Sequence, residues 1–145
     1  MGSSIDLGSY TVALEEMVQF SRQWDPQEFH TDPGAAAAGQ FGEIIASGVH
    51  TLAVFQRLAV LGAYHSWDVV AGRSIRDVQL TSPVRPGAEL FAALTIDEIT
   101  FGRPDRALVS ATGRLRTAQA LVLSVSFDSY VRRRPDSADS ASGHI

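Results

Sequence analysis

No cysteine and no lysine occur among the 145 residues. Without thiols the chain cannot be a disulfide-stapled scaffold, hold a metal through thiolates, or use a cysteine nucleophile. All the positive side-chain charge comes from twelve arginines, set against sixteen acids, for a net charge of −4 with histidines neutral. That mild acidity lacks the basic footprint of a nucleic-acid or anionic-membrane binder. No apolar run approaches the roughly twenty residues of a bilayer span; the longest, 49–63, is broken by Gln56 and Arg57. Residues 1–10 carry neither a positive charge nor an apolar block, so they do not read as a signal peptide. A soluble, cytoplasmic protein is expected. What is present is an apolar share of 45%, enough for the core of one compact domain, with no room for a second of ordinary size.

The first nine residues are small and polar and read as a loose lead-in, with a short strand over 10–12. Leu14, Met17, Val18 and Ser21 fall on one side of a helix over 14–22, with Glu15 and Glu16 in the first turn, where the helix dipole favours acids. Ala13 offers this helix no side-chain cap. Prolines and polar residues make 24–33 a loop. Asp32 then caps a short helix over 35–38 that Gly39 ends. Ser47 opens the one long helix, which runs to about Gly62. Its apolar residues, Val49, Leu52, Phe55, Leu58 and Leu61 among them, cover nearly the whole circumference, as in a buried helix.

Beyond it the period changes to two. Segments 74–81, 90–99, 107–117 and 120–131 alternate as strands with one face on a core. In the last, Leu121, Leu123, Val125 and Phe127 face one way and Ser124, Ser126 and Asp128 the other. Pro83, Pro86 and Gly87 separate the first two strands and Gly102 to Pro104 the next two. The final turn, 117–120, lacks the usual Gly or Asn. Helices first and antiparallel strands after give an α+β class: a curled antiparallel sheet wrapped around one long central helix, with an open flank suited to a dimer that continues the sheet. The domain is expected over 1–134. A tail of Ser, Ala and Asp, 135–145, is expected to be disordered.

The chemistry-bearing residues crowd into two stretches. Asp25 and His30 stand five apart in the proline-stiffened loop. The stretch 41–51 follows and opens the buried helix, where unpaired N–H groups and the helix dipole favour developing negative charge. An acid, a base and an oxyanion site are what addition of water across an activated double bond requires. Gln27, Ser47 and His50 stand beside them as candidate substrate contacts, Ser47 also suiting the helix N-cap. His50 has two readings, a substrate contact or a hydrogen-bonded core histidine. No pair of histidines has metal-ligand spacing with an acid.

These stretches, Asp-Pro-Gln-Glu-Phe-His-Thr-Asp-Pro over 25–33 and Ala-Ser-Gly-Val-His-Thr over 46–51, resemble the MaoC-like family of (R)-specific enoyl-CoA hydratases and acyl dehydratases, which have the hot-dog fold. The family pattern is Asp-x-Asn-Pro-x-His followed by a His-Gly pair. Here Gln27 stands for the Asn, Glu28 for the Pro and Ser47 for the His before Gly48. Ser82-Pro83-Val84-Arg85-Pro86-Gly87 is similar to the family's turn before a strand. The likeness runs over about 10–134. It implies a single hot-dog domain and the reversible hydration of trans-2-enoyl thioesters to (R)-3-hydroxyacyl thioesters, a lyase reaction of fatty acid metabolism. Asp25 and His30 would be the catalytic dyad and Gly48 the oxyanion donor. It also implies an acyl-CoA or acyl-carrier-protein substrate, no metal or redox cofactor, and a homodimer or higher hot-dog oligomer. Two alternatives share the fold: an acyl-thioester hydrolase, which also uses an acid and a helix N-terminus, and a non-catalytic partner in a mixed hot-dog assembly.

Overall fold

The computed structural model describes residues 2–133; the tail expected over 135–145, with Arg134 and His144, lies outside them. The elements run β1 (Ser4–Thr11), α1 (Leu14–Trp24), α2 (Glu28–Thr31), α3 (Pro33–Ala37), α4 (Gly48–Gly62), a 3-10 turn (Tyr64–Ser66), β2 (Val69–Leu80), β3 (Glu89–Thr100), β4 (Arg106–Arg116) and β5 (Leu121–Arg132). All strand pairs are antiparallel, in the order β1-β3-β4-β5-β2. The sheet curls round α4 as an α+β hot-dog domain.

The helical starts follow the local chemistry. Ala13 gives α1 no side-chain cap. The Asp32 carboxylate accepts from the Gly34 and Ala35 N–H groups at the start of α3. Ser47 caps α4, accepting from the Val49 N–H at 3.2 Å. In the core, Phe55 from α4 is fully buried and stacks on Phe127 of β5 at 5.6 Å. Burying such a ring contributes roughly 1.5–3 kcal/mol. Gly113, in the middle of β4, is where this ring lands: a Cβ there would sit inside it.

Four expectations are corrected. The N-terminal residues are not a lead-in: 4–11 form an edge strand on β3, with Leu7 buried under the end of α4. Gly62 serves that approach, since a Cβ there would lie 3.0 Å from the Leu7 Cα. Only Ile5 and Leu7 alternate here, too short a pattern to read before β3 is in place. The loop 24–33 contains the single turn α2. The strand expected from 74 begins at Val69. It pairs with β5 and not with β3, so 81–88 is a crossover that runs past the start of α4, where the Ala46 N–H meets the Val84 carbonyl at 2.9 Å. Finally, α4 buries His50, Thr51, Val54, Phe55, Leu58 and Ala59, while Val49, Val60 and Leu61 of the single chain are exposed. The 117–120 turn dispenses with Gly and Asn because the Thr117 hydroxyl accepts from the Gln119 and Ala120 N–H groups.

Candidate active site

Asp25 directly follows α1, its N–H closing on the Ser21 carbonyl at 2.8 Å. Pro26 turns the chain and α2 then carries His30 inward, to 4% exposure. The His30 Nδ1 lies 2.7 Å from the Ile45 carbonyl oxygen. A carbonyl only accepts, so Nδ1 bears the proton and Nε2 of the neutral ring is left with a lone pair. Nε2 faces Asp25 Oδ2 at 3.5 Å. That is longer than a direct charge-assisted hydrogen bond of about 2.7–2.9 Å.

The Asp25 carboxylate has its own donors. Ser47 Oγ donates to Oδ2 and Gln27 Nε2 to Oδ1, each at 2.7 Å. These two bonds, Ser47 foremost, hold the carboxyl below the ordinary carboxylate range; burial opposes them and the nearby His30 adds to them. The fully buried Ser47 therefore ties together the carboxylate and the cap of α4.

Gly48 is the first residue of α4, a position whose N–H has no carbonyl one turn earlier in the helix to bond. A Cβ on Gly48 would fall inside Leu80 Cδ1, so the glycine also seats the end of β2. His30 and Gly48 open on one cavity of about 300 Å³, walled by Phe41, Ile45, Leu80 and Val84. Asp25 stands at the imidazole edge, outside that wall.

The structure thus brings Asp25, His30 and Gly48 together. It places the three expected substrate contacts elsewhere: none of Gln27, Ser47 and His50 lines this cavity. Gln27 is exposed and serves Asp25, as Ser47 does. The His50 ring is 2% exposed, stacks on Phe20 at 4.5 Å and sets Nε2 2.8 Å from Glu16 Oε2. Its geometry is that of a core histidine. Tyr10 donates to the other Glu16 oxygen, a bond that with burial pushes the phenol up. Glu28 is exposed on the first turn of α2, where an acid complements the free N–H groups. At the end of β5, Arg132 pairs with Asp68 at 3.2 Å and Arg133 donates to the Arg103 carbonyl at 2.8 Å. Phe41, Leu80 and Val84 were not foreseen. Only Val84 stood in a motif, and its part in the wall depends on the crossover path.

The sequence model described as the MaoC like domain matches residues 1–116. The uncharacterized protein YdeM of Bacillus subtilis is 33% identical over 106 residues, 73% of each chain. The crystal structure of the MaoC-like dehydratase from Rhodospirillum rubrum superposes with a TM-score of 0.84 at 31% identity, over 94% of each chain. The (R)-hydratase from A. caviae involved in PHA biosynthesis is similar in fold, with a TM-score of 0.73 at 22% identity over 88% of this chain and 93% of that one.

Proposed function

Because the chain belongs to the MaoC-like domain family, we propose that it is an (R)-specific hydratase and dehydratase of trans-2-enoyl and (R)-3-hydroxyacyl thioesters, carried on coenzyme A or an acyl carrier protein in the cytoplasm. The observation that carries this reading is the 3.5 Å gap between the His30 lone pair and the Asp25 carboxylate, beside the first N–H of α4. A water seated beside the pair, not between the two atoms, can hydrogen-bond to both.

Of the two groups, His30 is the better base. Asp25 is held ionised by its donors, which makes it a weak proton acceptor and a good orienter of water. His30 Nε2 takes the water proton as the oxygen attacks the β-carbon. The electron pair of the double bond moves onto the α-carbon and the thioester carbonyl. The Gly48 N–H receives that carbonyl oxygen, an oxyanion contact of typically about 3 kcal/mol. The protonated imidazole then returns its proton to the α-carbon on the same face, completing a syn addition of water. The thioester itself acidifies the α-carbon, so the reaction calls for no metal or redox group.

The test is purified protein with crotonyl-CoA. Loss of conjugated-thioester absorbance without release of free thiol supports the hydratase. Thiol release from a saturated acyl-CoA would instead make the chain a hydrolase, and the absence of both reactions until a second hot-dog chain is added would make it a partner subunit.

We also propose a homodimer. Every residue of β2 but Ser74 is exposed, including Val69, Val70, Ile75, Val78 and Leu80, and the bare α4 residues Val49, Val60 and Leu61 add to the apolar surface. An unpaired, apolar edge strand is a template for another strand, and a second copy supplies the matching edge. Light scattering is expected to give twice the chain mass for the native protein and the single-chain mass for Ile75→Asp. A native monomer would refute the dimer.

A further inference from the structure

The chemistry above leaves one buried imidazole unused. His50 lies in the first turn of α4, and its Nδ1 is buried with no hydrogen-bond partner among the described residues. A carboxylate only accepts, so Nε2 carries the proton and donates it to Glu16 Oε2 at 2.8 Å. A buried nitrogen left unpaired costs about 1–3 kcal/mol, which a leucine at this position would avoid. What the histidine supplies in return is a directed bond to α1, backed by the stack on Phe20 of the same helix. Glu16 is itself held from the other side by the Tyr10 hydroxyl of β1, over whose ring the Arg57 guanidinium sits at 5.9 Å.

Glu16 and Asp25 stand nine residues apart, about 13 Å along α1 at about 1.5 Å per residue. Both ends of that length are tied to the same turn of α4: Asp25 to the Ser47 hydroxyl at 2.7 Å, and Glu16 to His50. Ser47 and His50 flank Gly48, whose N–H is the oxyanion donor of the mechanism above. A single tie would let α1 pivot about Ser47. Two ties fix its direction, and with it the place of Asp25 and of the α2 turn that carries His30. We propose that Glu16 and His50 are positioning residues, a clamp that holds the dyad end of α1 in register with the Gly48 amide. Neither lines the cavity beside His30, so both act through the residues they hold. The inference rests on the hydratase reading. A displacement of about 1 Å at the reacting groups can cost about a hundred-fold in rate, so a bond that adds little to stability can still govern kcat.

The test takes kcat and KM for crotonyl-CoA, together with Tm, on the full-length protein. His50→Leu is expected to lower kcat by about ten- to a hundred-fold, with KM little changed and Tm not lowered, because the leucine fills the space and removes the unpaired nitrogen. A histidine that merely filled the core would give the reverse, a lower Tm with kcat intact. Glu16→Ala changes a side chain that is 38% exposed and should lose kcat in the same way, which keeps the test open even if His50→Leu fails to fold. Glu16→Gln retains an acceptor for the His50 N–H and should restore most of the rate. The double variant His50→Leu, Glu16→Ala should lose no more than the worse single one, since two halves of one clamp are not additive. Unchanged kcat in Glu16→Ala, or losses that add, overturns the proposal. A second readout does not need turnover. The chain has four histidines, and the His30 Nε2 signal, assigned in the imidazole nitrogen spectrum by its loss in His30→Ala, reports on the nearby Asp25 carboxylate. It is expected to move in Glu16→Ala and to return in Glu16→Gln. That movement in a protein that hydrates nothing would sink the hydratase reading and leave the clamp standing; a signal unmoved in Glu16→Ala would sink the clamp whatever the activity.

Discussion

His30→Ala is expected to lower kcat for crotonyl-CoA hydration by roughly a hundred- to ten-thousand-fold, the usual weight of a general base. The ring that is lost is the one whose Nδ1–H is committed to Ile45 and whose Nε2 alone can take the water proton. Asp25→Asn keeps the shape and removes the charge that orients the water, and a loss of about a hundred-fold or more is expected. Steady-state rates for the two variants decide the matter, and full activity in both would end the dyad assignment.

A pH series adds a finer check on Asp25. In the proposed mechanism the carboxylate is the active form, and the Ser47 hydroxyl is the main reason its pKa is low. In Ser47→Ala the Asp25 pKa should move up towards the ordinary carboxylate value. Activity that needs an ionised Asp25 is then lost sooner as pH falls. The acid limb of log kcat/KM should therefore carry a break where Asp25 protonates. That break should come at higher pH in the variant than in the wild type. A break that stays put would mean that Ser47 serves only as the cap of α4.

Asp128→Ala is expected to destabilise the fold by about 2–3 kcal/mol, read by urea denaturation at neutral pH. Asp128 lies on the face of β5 away from α4, between Ser74 of β2 and Ser110 of β4. Each serine donates to it at 2.7 Å, and Arg76 grips both its oxygens, at 2.7 and 3.0 Å. The alanine leaves three donors without their acceptor. The cost falls below the 3–5 kcal/mol of a fully buried pair because Arg76 is half-exposed and can turn to water. The same cluster predicts an acid-sensitive stability. Arg76 first, then the two serines, hold the Asp128 carboxyl far below its ordinary range. A carboxylate whose pKa is depressed in the folded state stabilises the protein above the unfolded value, and that contribution is lost as pH falls through the folded one. Asp128→Asn should therefore remove part of the acid-induced loss seen in the wild type. Equal stability of Asp128→Ala and wild type would show that the cluster does not hold β2 in place. The consequence would reach the site, because β2 ends in the Leu80 that closes on Gly48.

The legible parts of the molecule share one property, which is that the atoms involved are close in sequence. The caps by Asp32 and Ser47 and the period-two strands after Gly62 express short-range stereochemistry, whereas Asp25, His30 and Gly48 were legible through their resemblance to the MaoC-like pattern. The illegible parts bring together residues far apart in the chain. Ser4–Thr11 becomes a strand because β3 offers it a partner. His50 is claimed by Glu16 and Phe20 of α1, and from one helix turn alone a core histidine and a substrate contact look the same.

The order of residues therefore dictated the class of fold, the position of the central helix and the identity of the three groups that converge at its start. Folding in three dimensions decided that β2 would cross to the far edge beside β5 and that 81–84 would consequently wall the cavity. The physical reason is the range of the forces: helix caps and side-chain alternation act over a few residues, whereas strand partners and cavity walls are chosen by contacts that exist only once the sheet has closed around the helix.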